Sequence, residues 1–226
     1  MESGITKIII DYYSNKDYAQ LSDKAFDIIV ELIVMMELKP GMLYSESEII
    51  EIIGIGRTPV REAIKKLAYM NIVRVLPRSG IIIADLRSDD VELERAVRIS
   101  IEELIFKKTA MGAFPHERQY LRDLINIHAD CFNNRDFIGV VRSDLQFHTA
   151  LAVFSRNDYA MNAVWPFTIL ESRLFYLYLS SPSTGTEVVN KLFNDHLKMM
   201  NTIVDGNYKE ACKLLRDFSF NSELRF

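Results

Sequence analysis

The stretch from Gly54 to Gly80, GIGRTPVREAIKKLAYMNIVRVLPRSG, constrains this chain more than any other. It reads as a tight turn, a basic helix and a short two-stranded hairpin. Val60, Ala63, Ile64 and Leu67 recur at helical spacing, so one face of the helix packs on a core while another shows cations to solvent. Arg57, Arg61, Lys65 and Lys66 lie on this helix and Arg74 and Arg78 follow it, against the single acid Glu62. Six cations to one anion, in a chain of formal net charge −4, is a local excess suited to a phosphate polyanion. A helix of this kind beside a hairpin is built to enter a DNA groove.

The flanks extend the motif. From Ser22, read as a cap, the residues Ala25, Ile28, Ile29, Leu32 and Ile33 mark the buried stripe of a helix that Pro40-Gly41 ends. Glu46 to Ile53 form a short second helix, opened by Ser45 and closed by Gly54. Residues 72–76 and 81–84 are strands joined around Pro77 and Gly80. Residues 1–20 show no clear periodicity; they form an arm or an extra helix, and no function is assigned to them.

After Asp85 the strand pattern disappears. Six amphipathic helices are predicted, at about 89–112, 116–133, 136–154, 158–180, 185–204 and 207–219, with a kink at Pro166. The fold class is therefore mainly α. An arm (1–20) precedes a winged helix-turn-helix with a two-stranded β wing (21–86), and an all-helical bundle (88–226) follows.

Composition narrows the class further. Cys131 and Cys212 are the only 2 cysteines, too few and too far apart for a disulfide framework or zinc knuckle. The opening MESGITKIII lacks the basic and small-residue signals of a secretory leader, and no apolar run is long enough to span a membrane. A cytoplasmic protein is expected. The pI of about 5.7 suits a localised DNA contact rather than a general nucleic-acid coat.

Two histidines and an aspartate interrupt the apolar stripes of the bundle. Asp144 and His148 are one turn apart on a face with Val140, Val141 and Leu151, and His196 lies in the stripe of Phe193, Met200 and Ile203. Converging on one interior, they are a divalent-metal donor set. The same residues also suit hydrogen-bonded packing or a helix-surface contact. His116 and His128 lie on a charge-rich helix and are read as solvated. Trp165, Phe175, Tyr176 and Tyr178 are read as core or interface.

Residues 39–83 closely resemble the winged helix-turn-helix of the GntR family of bacterial transcription regulators. The resemblance rests on the run Arg57-Thr58-Pro59-Val60-Arg61-Glu62-Ala63, the entry Lys39-Pro40-Gly41 and the wing Arg78-Ser79-Gly80. Gly56 replaces the usual Ser cap of the recognition helix, and Asn71 replaces the usual Gly after it. Gly still caps a helix, and Asn tolerates a left-handed backbone. Ser47 stands where relatives often carry a basic phosphate contact.

The C-terminal region resembles the helical effector domain of the FadR-like (FCD) subgroup, and its six helices are similar to the VanR-type branch. That resemblance implies a metal of Zn, Ni or Mn type held by Asp144, His148 and His196, beneath a carboxylate effector. The fourth family ligand position falls on Phe218, which cannot coordinate. The resemblance also places Arg98, Glu102 and Arg173 at the effector, and Arg57, Thr58, Arg61, Lys65, Arg78 and Gly80 at DNA. The implied function is ligand-responsive transcription regulation by a homodimer on a palindromic operator. The rival reading is a metal-dependent enzyme using Asp144, His148 and His196, with a DNA-binding appendage. No HExxH, Gly-x-Ser-x-Gly or phosphate-binding glycine loop supports it.

Overall fold

The computed structural model describes residues 3–85, 88–181 and 184–217, with side chains for all of these except 88–93. The chain divides into two compact units, residues 1–86 and 87–226.

In the first unit, residues 1–20 supply a helix, α1 (Gly4–Ser14), whose Ile9 and Tyr13 are buried. Ser3 and Thr6 both donate to the Glu37 carboxylate, Thr6 at 2.5 Å, tying the start of α1 to the chain just after α2 (Leu21–Val34). Ser22 is not the cap of α2: Gln20 occupies that position without a side-chain hydrogen bond. Pro40-Gly41 is not the stop either. The helix closes five residues before Pro40, through Met36 at φ 60. Burial of Met35 and Leu38 turns the chain inward there, ahead of the proline.

The next helix, α3 (Glu46–Ile53), begins where Ser45 and Glu48 exchange hydrogen bonds with each other's backbone N–H. Such a capping box satisfies two donors that a helix start leaves open, a contribution of about 1 kcal/mol. Gly54, at φ 67, ends α3, and Ile55 is buried before α4 (Arg57–Tyr69) starts at Gly56. Asn71 takes φ 58, the left-handed conformation expected of it.

The wing has three strands rather than two. Besides β2 (Val73–Leu76) and β3 (Gly80–Ile83), the short β1 (Leu43–Tyr44) pairs antiparallel with β3, in the order β1-β3-β2. Two residues carry no readable alternation, so only pairing with Ile81 and Ile82 reveals β1.

The second unit is a bundle of α5 (Ser88–Gly112), α6 (Pro115–Asn133), α7 (Phe137–Phe154), α8 (Asp158–Ser180), α9 (Thr186–Val204) and α10 (Tyr208–Asp217). Its core gathers Phe106, Leu121, Phe147, Leu151, Met200 and Ile203, among others, all at most 1% exposed. Pro115 opens α6, where its missing N–H is no loss, and Asp136 and Asn157 cap α7 and α8. The guanidinium of Arg118 donates to the carbonyls of Val204 (2.7 Å) and Ala110 (2.6 Å), near the ends of α9 and α5. α8 continues through Pro166. Among the described residues, no helix is long and apolar enough to cross a membrane.

Candidate DNA-binding face and buried histidine–carboxylate pocket

Helical geometry sorts the side chains of α4. Val60, Ala63, Ile64 and Leu67 are buried on one side, while Arg57, Thr58, Arg61 and Lys65 are exposed within an arc of about 100° on the other. Gly56 leaves the helix N-terminus without a side-chain cap. Its backbone N–H groups and their dipole are therefore open to an anion.

The cations on this helix are not equivalent. Arg61 is held by Glu46 from the first turn of α3. Lys65 pairs with Glu62 at 2.8 Å. Lys66 turns back to α2, lying 4.1 Å over the Phe26 ring and 3.9 Å from Asp23. Arg57, Arg74 and Arg78 make no ion pair among the described residues.

Arg78 stands at the wing turn with φ 66, exposed beside Pro77 and Ser79. Gly80, expected at DNA, also has a structural task. It opens β3 at φ +134, and a Cβ there would lie 2.1 Å from the Tyr44 carbonyl oxygen. The glycine lets β1 approach β3.

In the bundle, α5, α7, α8 and α9 bring polar side chains to one interior cavity of about 30 Å³. Arg98 and Glu102 come from α5, Asp144 and His148 from α7, Glu171 from α8 and His196 from α9; Thr168, Ser172, Phe175, Met199 and Leu215 complete the lining. The Arg98 guanidinium lies 2.9 Å from Glu102 and 3.3 Å from Glu171. Two carboxylates thus face one guanidinium, and Asp144 is a third carboxylate in the same lining.

Oδ1 of Asp144 is 3.4 Å from Nδ1 of His196 and 3.7 Å from Nε2 of His148, but receives no well-formed hydrogen bond from the described residues. Nε2 of His148 lies 3.2 Å from Nε2 of His196. The three expected metal donors are therefore neighbours. His196, however, turns different ring nitrogens to its two partners.

Two assignments change. Arg173 is 2% exposed but does not line the cavity. Two residues beyond Glu171, it points about 200° around the helix. His128 is not solvated: it is 0% exposed. It continues the stripe Leu121, Leu124, Ile125 at i+7, i+4 and i+3, a signal the charges around it obscured.

Burial dominates the titration of this pocket. It holds His128 and His148 down at about 4 and His196 well below its ordinary value. Burial, with the charges of Glu102 and Glu171, pushes Asp144 well above the usual carboxylate range. Glu102 is likewise raised by burial, against the pull of Arg98. Neutral histidines beside carboxylates that burial penalises form a donor set that gains from a cation.

Residues 21–83 match the family described as bacterial regulatory proteins, gntR family, and residues 95–218 match the FCD domain. An HTH-type transcriptional regulator from the TAR-I ttuE-ttuC' intergenic region of Agrobacterium vitis is 34% identical over 115 residues, covering 50% of this chain and 67% of the relative. The HTH-type transcriptional regulator YdhC of Bacillus subtilis is 25% identical over 190 residues, 82% of each chain. Among solved structures, E. coli McbR/YncC superposes with a TM-score of 0.74 at 15% identity, over 89% of this chain and 94% of that one; this likeness shows the fold. Both relatives are described as HTH-type regulators of transcription. The chain belongs to the GntR family of DNA-binding bacterial transcription regulators, in the group whose winged helix-turn-helix is joined to an FCD domain.

Proposed function

We propose that the chain acts as a homodimer on a palindromic operator, and that its bundle holds a divalent cation of Zn, Ni or Mn type to which a small carboxylate effector binds. The observation that carries the reading is the convergence of Asp144, His148 and His196, with donor atoms 3.2, 3.4 and 3.7 Å apart, in a cavity also lined by Glu102 and Glu171. A divalent cation there would offset the carboxylates that burial penalises. When bound, it would offer open coordination positions to carboxylate oxygens. Arg98 is already engaged by Glu102 and Glu171, so the ion rather than the guanidinium is the anchor for an incoming carboxylate. Arg98 and Glu102 form the wall beside it.

The cavity gives the switch its logic. About 30 Å³ accommodates an ion with a water or two, not a sugar acid or amino acid. Effector entry therefore requires the lining helices to move apart. That movement, passed through the short stretch between the units, is proposed to change the fit of two winged domains on DNA.

Arg57, Thr58 and Arg61 read base edges, Lys65 and Arg78 contact phosphate, and a single recognition helix covers only a few base pairs. Support for a dimer comes from α5, where Val97 (51% exposed), Leu104 (40%) and Met111 (68%) repeat every seven residues. The six helices among the described residues of the bundle support placement in the VanR-type branch.

The test joins fluorescence anisotropy on a selected operator to metal analysis of untagged protein. Operator binding should disappear in the Arg57→Ala/Arg61→Ala double variant while the circular dichroism spectrum is kept. Near-stoichiometric metal should be present, and lost in His148→Ala. Retained DNA binding would sink the recognition face, and metal-free protein would sink the cation.

A further inference from the structure

Of the 4 histidines in the chain, three converge on Asp144, and the third of them is His128. Its ring is fixed in place. It stacks on Phe193, with centroids 4.9 Å apart and planes 17° from parallel, and meets the His196 ring edge-on at 5.7 Å. Nδ1 lies 3.1 Å from the Val140 carbonyl and 3.0 Å from Ser143 Oγ. A carbonyl only accepts, so Nδ1 carries the proton and Nε2 keeps a bare lone pair. That Nε2 is buried and has no hydrogen-bond partner among the described residues.

An unpartnered acceptor in the interior is costly for a histidine kept for packing alone. It is the arrangement a metal requires. One ring nitrogen donates to a backbone carbonyl, which sets tautomer and orientation, and the other is presented bare. Moreover, one donor atom each from His128, Asp144 and His196 lie within 4.8 Å of one another. Donors around an ion at about 2.1 Å stand roughly 3.0–3.4 Å apart when adjacent and about 4.2 Å apart when opposite. Small ring movements bring the group to these spacings.

We infer that His128 supplies, from α6, a fourth donor to the site of Asp144, His148 and His196, replacing the last-helix ligand whose position is taken by Phe218. Phe218 lies outside the described residues, and the inference rests on the cation reading above. The resulting set of three imidazoles and one carboxylate suits borderline ions such as Zn and Ni, with remaining positions left for water or effector. The pocket then closes on the ion from α6 as well as from α7 and α9. The last helix is released from coordination.

Cobalt(II) alone is the probe, added to the full-length protein after chelator treatment. In the unmodified protein, the proton NMR spectrum should show three exchangeable, strongly shifted imidazole N–H signals, one for each ligating histidine. His128→Phe keeps an aromatic ring against Phe193 and removes the nitrogen. It should lose one of the three signals and weaken cobalt binding, by chelator competition, roughly 100-fold or more, above the 10–100-fold typical of losing a supporting partner. Two signals in the unmodified protein, or unchanged affinity in a folded His128→Phe variant, overturn the role of His128 and leave the three-donor site standing. No cobalt binding by the unmodified protein overturns the cation reading itself. Because the signals are counted on the unmodified protein, the count decides the role of His128 even where the variant fails to fold.

Discussion

Glu46, in the first turn of α3, holds the guanidinium of Arg61 on the recognition helix. The pair is substantially exposed, with 55% of the Arg61 side chain and 28% of the Glu46 side chain accessible. Its contribution to stability is therefore small, at most about 1 kcal/mol. On the proposed recognition face its effect is larger in consequence, because Arg61 would have to leave Glu46 to bond a guanine or a phosphate.

Glu46→Gln is accordingly expected to tighten operator binding a few-fold at low salt, since it removes a competing carboxylate and one negative charge facing DNA. Arg61→Ala should weaken binding by about 1–3 kcal/mol per half-site if it reads a base. Fluorescence anisotropy across a salt series measures both. Unchanged affinity in Glu46→Gln would mean that Arg61 does not reach the DNA.

Gly80→Ala should damage the wing itself. The alanine would have to accept φ +134 and place its Cβ against the Tyr44 carbonyl. Such strained positions cost on the order of 1–3 kcal/mol. Thermal unfolding should show the loss in the free protein, with weaker DNA binding as a consequence. A variant of normal stability that fails on DNA would instead return Gly80 to the contact surface.

Repetition decides how much of the fold the sequence could say. Helical periodicity in α4 and the six bundle helices was legible because each long element repeats its apolar signal several times. Strand β1 was not, since two residues repeat nothing. The pocket was half legible. Asp144, His148 and His196 interrupt apolar stripes and so stand out, whereas His128 sits among Arg118, Arg122, Asp123 and Asp130 on α6 and reads as surface. Glu171 gave no sequence signal; only packing brings it to within 3.3 Å of Arg98. Spacing could not reveal that Arg173 points away from the cavity either, because a kink-prone helix containing Pro166 offers no clean stripe to orient it.

Removing charge from the pocket should have opposite effects with and without metal. Asp144→Asn deletes the carboxylate that burial and its neighbours Glu102 and Glu171 most disfavour as an anion. After chelation, the variant is expected to be at least as stable as the parent, by up to a few degrees in Tm. With excess zinc the order should reverse, because a ligand at 100 times its Kd adds about 2.7 kcal/mol to the parent alone. Differential scanning fluorimetry of both proteins, with zinc and with chelator, reads the crossing. Parallel shifts in the two proteins would count against Asp144 as a metal donor.

The exposed stripe on α5 makes the proposed dimer testable in the same way. Val97, Leu104 and Met111 lie seven residues apart, so they recur on one side of the helix with only about 20° of drift per repeat. Three large apolar side chains aligned on a surface helix suit burial against an equivalent helix. Leu104 is partly packed already, at 40% exposed, so a charge there disrupts an interface without opening the bundle core. Leu104→Glu should convert the protein from dimer to monomer in sedimentation equilibrium while keeping its helical content. Operator affinity should then fall far more than affinity for a single half-site, since two linked recognition helices bind far more tightly than one. A Leu104→Glu protein that remains dimeric would move the interface to another face of the bundle.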